Sequence, residues 1–507
     1  MLRAVCMSAD RENISPEWKA PEEDGRILLW PDPASLCAQT RRNHESLAKA
    51  SARIQNIPAN ELRAMARRWM GHDDTQLLIA TGHQVELIHP GVWAKDVLIN
   101  ALARKLSGAA AHFAVDTDAP KHLQLRFPGG SAPITDDRRL TSAAWCGLLA
   151  PPSPAHLKHI EMEFSRAAGS WPFHSMLGAL LSCLRRAIVD ADDLPTPLTN
   201  AVHQLDWSLG LRHHLFLASP IWQSRTFLAF AHHILARAES FAHSYNSALA
   251  EYRRENGVRD AGRPWPDLRM EADCIEVPFW VDELEGGVRQ RACVGRVDDR
   301  LVLRIAPAAE FPLEANADGM TAADELARFL SANRVRLSPR ALTLTASIRL
   351  FIADQFVHGI GGGLYDRITD RIISSWFGIA PPSFSVTTAT LLFPTAVMQR
   401  RIDLRTLLME GRRIRHGDAD PRKMELVRAI AGAPRKSPQR GEFFQQLHRF
   451  LAEQLEAPAY KQWQIRLEDA RNAAQEQAEL FDRELFYAIQ PESRLQALIS
   501  HYESLLS

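Results

Sequence analysis

The sequence predicts an α/β fold built on a parallel sheet, with helical insertions and a C-terminal helical hairpin of coiled-coil type. Three observations carry this. Gln76 to Ala80 is a short apolar run closed by Thr81-Gly82, as expected for a strand buried on both faces. From Gly91 to Leu106 the apolar residues Val92, Leu98, Leu102 and Leu106 recur at helical spacing, leaving Lys95, Arg104 and Lys105 for solvent or ligand. His112 to Val115 reads as a second strand, ending in Asp116-Thr117-Asp118. Strand, helix and strand over 76–118 form a βαβ unit, which implies parallel strands joined by a right-handed crossover.

The remaining elements follow in order. Residues 1–75 are mixed, with a helix expected from about Pro33 to Trp69, broken near Pro58. Residues 155–255 read as mostly helical, with an early apolar face at Trp171, Phe173, Leu177, Leu180, Leu181 and Leu184. A turn-rich connector at Arg263-Pro264-Trp265-Pro266-Asp267 precedes strand-like alternation at Ile275 to Val281 and Arg291 to Ile305, with Gly286-Gly287 as a hairpin tip. The stretch Ala341 to Ala353 is apolar enough to be buried, and Gly361-Gly362-Gly363-Leu364-Tyr365 reads as a glycine-rich loop entering a helix. Beyond Pro394 the chain turns to long polar helices, where Phe444, Leu447, Leu451 and Leu455 follow 3,4,4 spacing. The expected division is a first half of the core over 1–150, a helical insertion over 151–260, a second half of the core over 261–395 and a helical arm over 396–507.

Composition bounds the function. Across 507 residues, 60 basic and 60 acidic side chains cancel, which removes any general pull toward nucleic acid or an anionic membrane. No stretch has the apolar length of a membrane span, and Met1 to Cys6 runs into Asp10, Arg11 and Glu12 without an apolar signal segment, so a cytoplasmic protein is expected. The six cysteines lack any C-x-x-C pair and are read as reduced thiols, Cys274 and Cys293 as buried and inert. The adjacent pairs His213-His214 and His232-His233 point to different faces of a helix, so no metal site is predicted. The basic clusters at Arg400-Arg401 and Arg412-Arg413-Ile414-Arg415 read as solvated helix faces.

Ligands of parallel sheets lie beyond the carboxyl ends of the strands, where Thr81 to Asp96 packs a strand end, a polar elbow and a helix start together. A helix start offers unpaired N–H groups and the positive end of the dipole, so an anion is favoured near His89, Pro90 and Gly91. Pro90 suits a first helical turn. Gly82 and Gln84 line the elbow, His83 and His89 can donate to phosphoryl oxygens, and Lys95 can add a point charge. The competing reading is a turn and a cap. Asp116 and Asp118 could hold Mg²⁺ through phosphate oxygens or bind the amino group of an acceptor, or only cap the next element. Gly361, Gly362 and Gly363 could cover a ligand, or form only a tight turn.

Two of these segments together resemble the bacillithiol-synthesis cysteine-adding enzyme family, the cysteine ligases called BshC. The family's Thr-Gly-Gln-Gln elbow is similar to Thr81-Gly82-His83-Gln84, followed in order by Gly91 and Lys95. Its Leu-Ser-Pro block and Gly-Gly-Pro loop before a Tyr-bearing helix are similar to Leu337-Ser338-Pro339 and Gly361-Gly362-Gly363-Leu364-Tyr365. The sequence departs at position 83, where His replaces Gln, and at Asp116-Thr117-Asp118, which lacks the family's histidine. The resemblance implies a Rossmann-like core, a coiled-coil arm used in homodimers, and a ligase that binds ATP or another nucleotide, with Mg²⁺, and joins cysteine to an amino-sugar acceptor. In addition, His89-Pro90-Gly91-Val92 is similar to the His-x-Gly-His signature of nucleotidyltransferases without its second histidine. An enzyme of that second type, or a non-catalytic scaffold recruiting a partner through the arm, is the alternative expectation.

Overall fold

In a computed structural model the described residues are 5–6 and 18–507, apart from 261, 264, 272, 299, 307–308, 399–401 and 418–419. They fall into two compact units, Met1–Leu391 with Arg483–Ser507, and Leu392–Asp482. The arm read over 396–507 is thus divided, because the last segment belongs to the first unit.

The chain is mixed α/β, and its first unit is built on a seven-stranded sheet. The strands are β1 (Val5–Cys6), β2 (Ile27–Trp30), β3 (Leu78–Gln84), β4 (Ala109–Val115), β5 (His214–Leu217), β6 (Gln355–His358) and β7 (Ser385–Ala389), in the order β1-β2-β7-β6-β3-β4-β5. The run β7-β6-β3-β4-β5 is parallel throughout, while β2 lies antiparallel to β7. Leu78, Ile79, Ala80 and Thr81 of β3 are all buried, as parallel strands covered on both faces require. Pairing runs from Leu78↔Ala109 to Gln84↔Val115, so the strand does not stop at Ala80. Gly82, His83 and Gln84 are strand residues, and the elbow proper starts at Val85.

Helices α1 (Pro33–Ala48), α2 (Ala59–Trp69), α3 (Pro90–Leu106), α4 (Pro195–Ser208) and α5 (Ile360–Ser375) pack around this sheet. The expected break near Pro58 is present, as a small hairpin between α1 and α2. The 155–255 region is helical except for β5, which becomes the edge strand of the main sheet and carries His214. His213 therefore precedes a strand and does not lie on a helix. The second sheet is antiparallel, ordered Ala309–Leu313, Arg300–Ala306, Val288–Val297, Ile275–Glu283 and Val335–Pro339. Its hairpin turns at Gly287, whose φ of +66° favours glycine, and the run expected over 291–305 is split into two strands by a turn at Asp298 (φ +46°). Hairpin pairing also places Cys274 and Cys293 with Cα atoms 5.7 Å apart, and they form a disulfide. Nineteen residues of separation hid that proximity, which corrects the expectation of reduced, inert thiols at both positions.

The second unit contains, among the described residues, the α-helices Leu404–His416, Pro421–Gly432, Pro438–Glu456 and Pro458–Ala478. Trp463 packs against Gly411 and donates from Nε1 to the Leu407 carbonyl at 2.8 Å, so the last helix pairs with the first. Phe450 is buried, whereas Phe444 and Leu455 of the 3,4,4 stripe stay exposed. Arg412, Arg413 and Arg415 are exposed as expected, and Arg400-Arg401 lies outside the described residues. No helix among the described residues is long and apolar enough to cross a membrane.

One buried carboxylate pins the amino edge of the main sheet. Asp354 accepts from Arg63 Nη2 (2.5 Å), Arg67 Nη1 (3.0 Å), His44 Nδ1 (3.0 Å) and the Leu78 backbone N–H (2.7 Å). Although burial alone would raise its pKa, His44, Arg63 and Arg67 hold it down to about 2. Asp354→Asn should cost about 3–5 kcal/mol, because two buried guanidiniums lose their counter-charge, measured as a fall in the denaturation midpoint. A pKa below the unfolded value means that Asp354 stabilises above about pH 4 and that this contribution is lost as pH falls through 2. The variant should accordingly show a flatter acid limb in a stability-versus-pH series.

Candidate functional site

β3 and β6 are neighbours, but the chain leaves them in opposite directions across the sheet. β3 continues through α3 to β4, whereas β6 continues through α5 to β7 on the other side. Right-handed crossovers running opposite ways put α3 and α5 on opposite faces. The strand order therefore reverses between β3 and β6, the position at which open parallel sheets take ligands beyond the carboxyl ends of the strands. Thr81 and Val357 are paired there, so Gly82 and His83 leave one strand beside His358 and Gly359 leaving the other.

On the β3 side the predicted residues converge, with roles that differ from those expected. Lys95 is only 4% exposed, so it is not held for solvent; its Nζ donates to the Gly82 carbonyl at 2.7 Å. Burial pulls its pKa down to about 8, against the attraction of Asp96 and Glu86. His83 Nδ1 lies 3.2 Å from the Gln84 carbonyl, and burial together with Lys95 holds the imidazole well below its ordinary pKa. The ring is neutral, with Nδ1 the donor. His89 is the N-cap of α3, and its Nδ1 accepts from Gly91 N at 3.1 Å, so this N–H is already satisfied. Pro90 takes the first helical position as expected. At Gly91 a Cβ would lie 2.6 Å from Thr388 Oγ1 and 2.8 Å from Arg483 Nη2, so this glycine lets α3 approach β7. Gly82 is similarly tight against the Phe113 carbonyl, 3.0 Å from where its Cβ would sit.

The aspartates do not form a pair. Asp116 Oδ1 accepts from Ser219 N at 2.8 Å and Oδ2 accepts from Ser219 Oγ, so it caps the segment after β5. Asp118 Oδ2 instead accepts from Gln84 Nε2. The capping alternative describes Asp116, and the two carboxylates serve different partners because the strand-end turn separates them.

On the β6 side the glycine run is helical rather than a loop. Gly359 is the N-cap of α5, and Gly361, Gly362 and Gly363 lie in its first turns. A Cβ on Gly361 would meet nothing within 4 Å, one on Gly362 would lie 2.8 Å from His358 Nδ1, and Gly363 packs on Val386 and Trp18. Tyr365 turns away, stacking edge-on with Tyr252 and Trp265 at 6.3 and 5.9 Å. His358 was not singled out in the sequence, yet its Nε2 lies 2.8 Å from Asp366 Oδ2, which also binds Arg349 Nη1 at 2.6 Å. Its position immediately before Gly359 was the only local signal.

A cleft of about 40 Å³ runs from the β3 elbow under α4, lined by His83, Gln84, Glu86, Asp96, His112, His203, Asp206 and His213 among others. His112 Nδ1 is 2.6 Å from Asp96 Oδ1. Asn100 Nδ2 donates to His213 Nδ1 at 3.0 Å, leaving His213 Nε2–H to donate to His203 Nδ1 at 3.4 Å. Burial pushes His213 down to about 3 and Asp206 up to about 8, so both are neutral at pH 7. These contacts join residues up to 113 positions apart, and no local spacing announces them. Comparison with models of known families finds none that matches the chain, and no curated protein matches it.

A histidine kept neutral in the fold but free to protonate when unfolded makes acid destabilising. Between pH 6.5 and 3 the unfolded chain binds one more proton at His213, a slope of up to about 1.4 kcal/mol per pH unit. His213→Gln should remove one proton from that linkage, and an unchanged slope in pH-dependent unfolding would contradict the buried neutral state.

Proposed function

We propose that the chain is a nucleotide-dependent ligase of the BshC type on a Rossmann-like core, joining an amino acid, cysteine in that family, to an amine or amino-sugar acceptor. What supports this reading is the reversal of strand order between β3 and β6, with a helix beginning after each strand at the carboxyl edge of the sheet. Helix starts at such a reversal favour phosphate through free N–H groups and dipole. The α5 start has no side-chain cap, so its N–H groups remain for a ligand, and Gly361 and Gly362 leave the approach open. His83 and Lys95 flank the other wall, Lys95 as the neutralising charge and His83 as a neutral hydrogen-bonding group. Mg²⁺ would enter with the nucleotide phosphates, and Asp118, beside Gln84 at the end of β3, would be the carboxylate to meet it. Nucleotidyl transfer through His89 is the weaker reading, because His89 Nδ1 is engaged as a cap. We infer that the helical arm joins two copies of the chain. Supporting this, its helices expose Met424, Phe444 and Ile465, at 51%, 41% and 62%.

Titration with ATP and Mg²⁺ should raise the melting temperature, since a ligand at 100 times its Kd adds about 2.7 kcal/mol. No shift with ATP or CTP would remove the ligase reading. Gly361→Ala is the sharper variant: an unobstructed Cβ in a helix should stabilise by about 0.4–1 kcal/mol while weakening ATP binding, whereas equal ATP affinity would take α5 out of the site. Light scattering on the full chain should give a dimer, and Phe444→Glu should shift it toward monomer.

A further inference from the structure

The cleft beside the β3 elbow holds a carboxylate that accepts no hydrogen bond among the described residues. Glu86 leaves the elbow two residues after β3, lines the cleft, and has a side chain only 7% exposed. Among the described residues it accepts no hydrogen bond, and the approach of His83 Nδ1 to Oε2, at 3.7 Å, is too long for one. Lys95, the cation on the same wall, donates to the Gly82 carbonyl and forms no ion pair with Glu86 among the described residues. Lys121 and His122 act on it only at longer range. A buried carboxylate without a hydrogen-bond donor is costly, and buried polar groups in folded proteins are otherwise almost always paired. A built pocket with a vacant acceptor of this kind calls for a donor that arrives with the ligand.

The neighbouring imidazoles define that donor. His83 Nδ1–H faces the Gln84 carbonyl, which leaves Nε2 as an acceptor. His112 Nδ1 faces the Asp96 carboxylate, and its Nε2 makes no hydrogen bond among the described residues. One carboxylate and the acceptor nitrogen of His83 suit a group that carries a positive charge and several N–H bonds. We propose that the cleft formed by Glu86, His83 and His112 is the binding site for a protonated primary amine on a small molecule, with Glu86 as its counter-ion. At about 40 Å³ the cleft takes the ammonium head of such a ligand, with the remainder of the molecule outside it. The uncapped start of α5 serves an anion, so charge sorts the ligands between the two places. Assigning this amine as the acceptor in the ligase rests on that reading; amine binding itself does not.

Calorimetric titration of the full chain in EDTA, with glucosamine and L-serine each beside its N-acetyl derivative, tests the proposal. Each free amine should bind at least ten times more tightly than its acetylated form, which keeps the rest of the molecule but lacks the charge. Glu86→Gln should abolish that preference, and Glu86→Asp should keep part of it. Equal affinity of amine and acetyl forms, absence of binding by both amines, or an amine preference unchanged in Glu86→Gln would each overturn it. Binding that appears only when a divalent metal replaces EDTA would assign the carboxylate to a metal and overturn it equally. Should Glu86→Gln fail to fold, the wild-type comparison of amine with acetyl form still decides. ATP binding is measured separately: amine selectivity without any nucleotide binding would sink the ligase reading and leave the amine site standing.

Discussion

The architecture depends on a single buried carboxylate, Asp354, at the amino edge of the main sheet. It stands immediately before β6 and accepts the first N–H of β3, so it ties the two neighbouring strands at their amino ends. Its cations come from α2, Arg63 and Arg67, which also cap carbonyls of the Leu350–Ala353 turn. Asn43 of α1 adds a bond to the Asp354 carbonyl at 2.8 Å. The consequence reaches the far end. A one-residue slip between β3 and β6 would turn every side chain of one strand to the opposite face, sending His83 and His358 to the wrong sides. Fixing Gln355 opposite Ile79 at one end therefore fixes which way side chains face at the other.

The second constraint is the burial of α3 on nearly every side. From Trp93 to Ala103 all its residues are buried, including Lys95, Asp96 and Asn100, because the C-terminal helix Glu492–Leu506 covers the side away from the sheet. Polar groups in that position need partners. Trp93 Nε1 and Tyr487 Oη both donate to Asp206 Oδ1 at 2.9 Å, and the two rings stack with centroids 4.9 Å apart. With its pKa raised to about 8, Asp206 is a neutral acid at pH 7, which spares the interior an unpaired charge. The return of Arg483–Ser507 to the first unit thus completes the walls around α3.

Local signals were legible and long-range ones were not. The β3–α3–β4 unit could be read because apolar periodicity, a strand-ending glycine and Pro90 at a helix start are all short-range. The end of β3 could not, because Gly82 to Gln84 look like loop residues until their pairing with Phe113 to Val115 is known. β5 was hidden inside a helical region, since His214 to Leu217 is too short to show a period. Gly361 to Gly363 have poor intrinsic helix propensity, but the start of α5 is held by packing of Gly363 on Val386 and Trp18. Of the candidate site, the residues on β3 and at the start of α3 were found and their partners were not: Lys95 with Gly82, His89 with Gly91, Asp116 with Ser219.

Those partners change the chemistry that the sequence suggested. A lysine and two histidines before a helix read as a cationic anion trap, yet Lys95 is tied to a carbonyl, His83 is neutral and His89 is a cap. The β3 wall consequently carries less free positive charge than its composition implies, and Glu86 adds a negative one. The α5 wall is the reverse. No side chain caps it, its first residues are glycines, and the charge on Asp366 is already matched by Arg349. An anion is accordingly favoured near α5 and a cation in the cleft under α4, the separation that the proposed reaction between an activated acid and an amine would use. In the proposed ligase, keeping the two charges apart would let each reactant bind without neutralising the other's site.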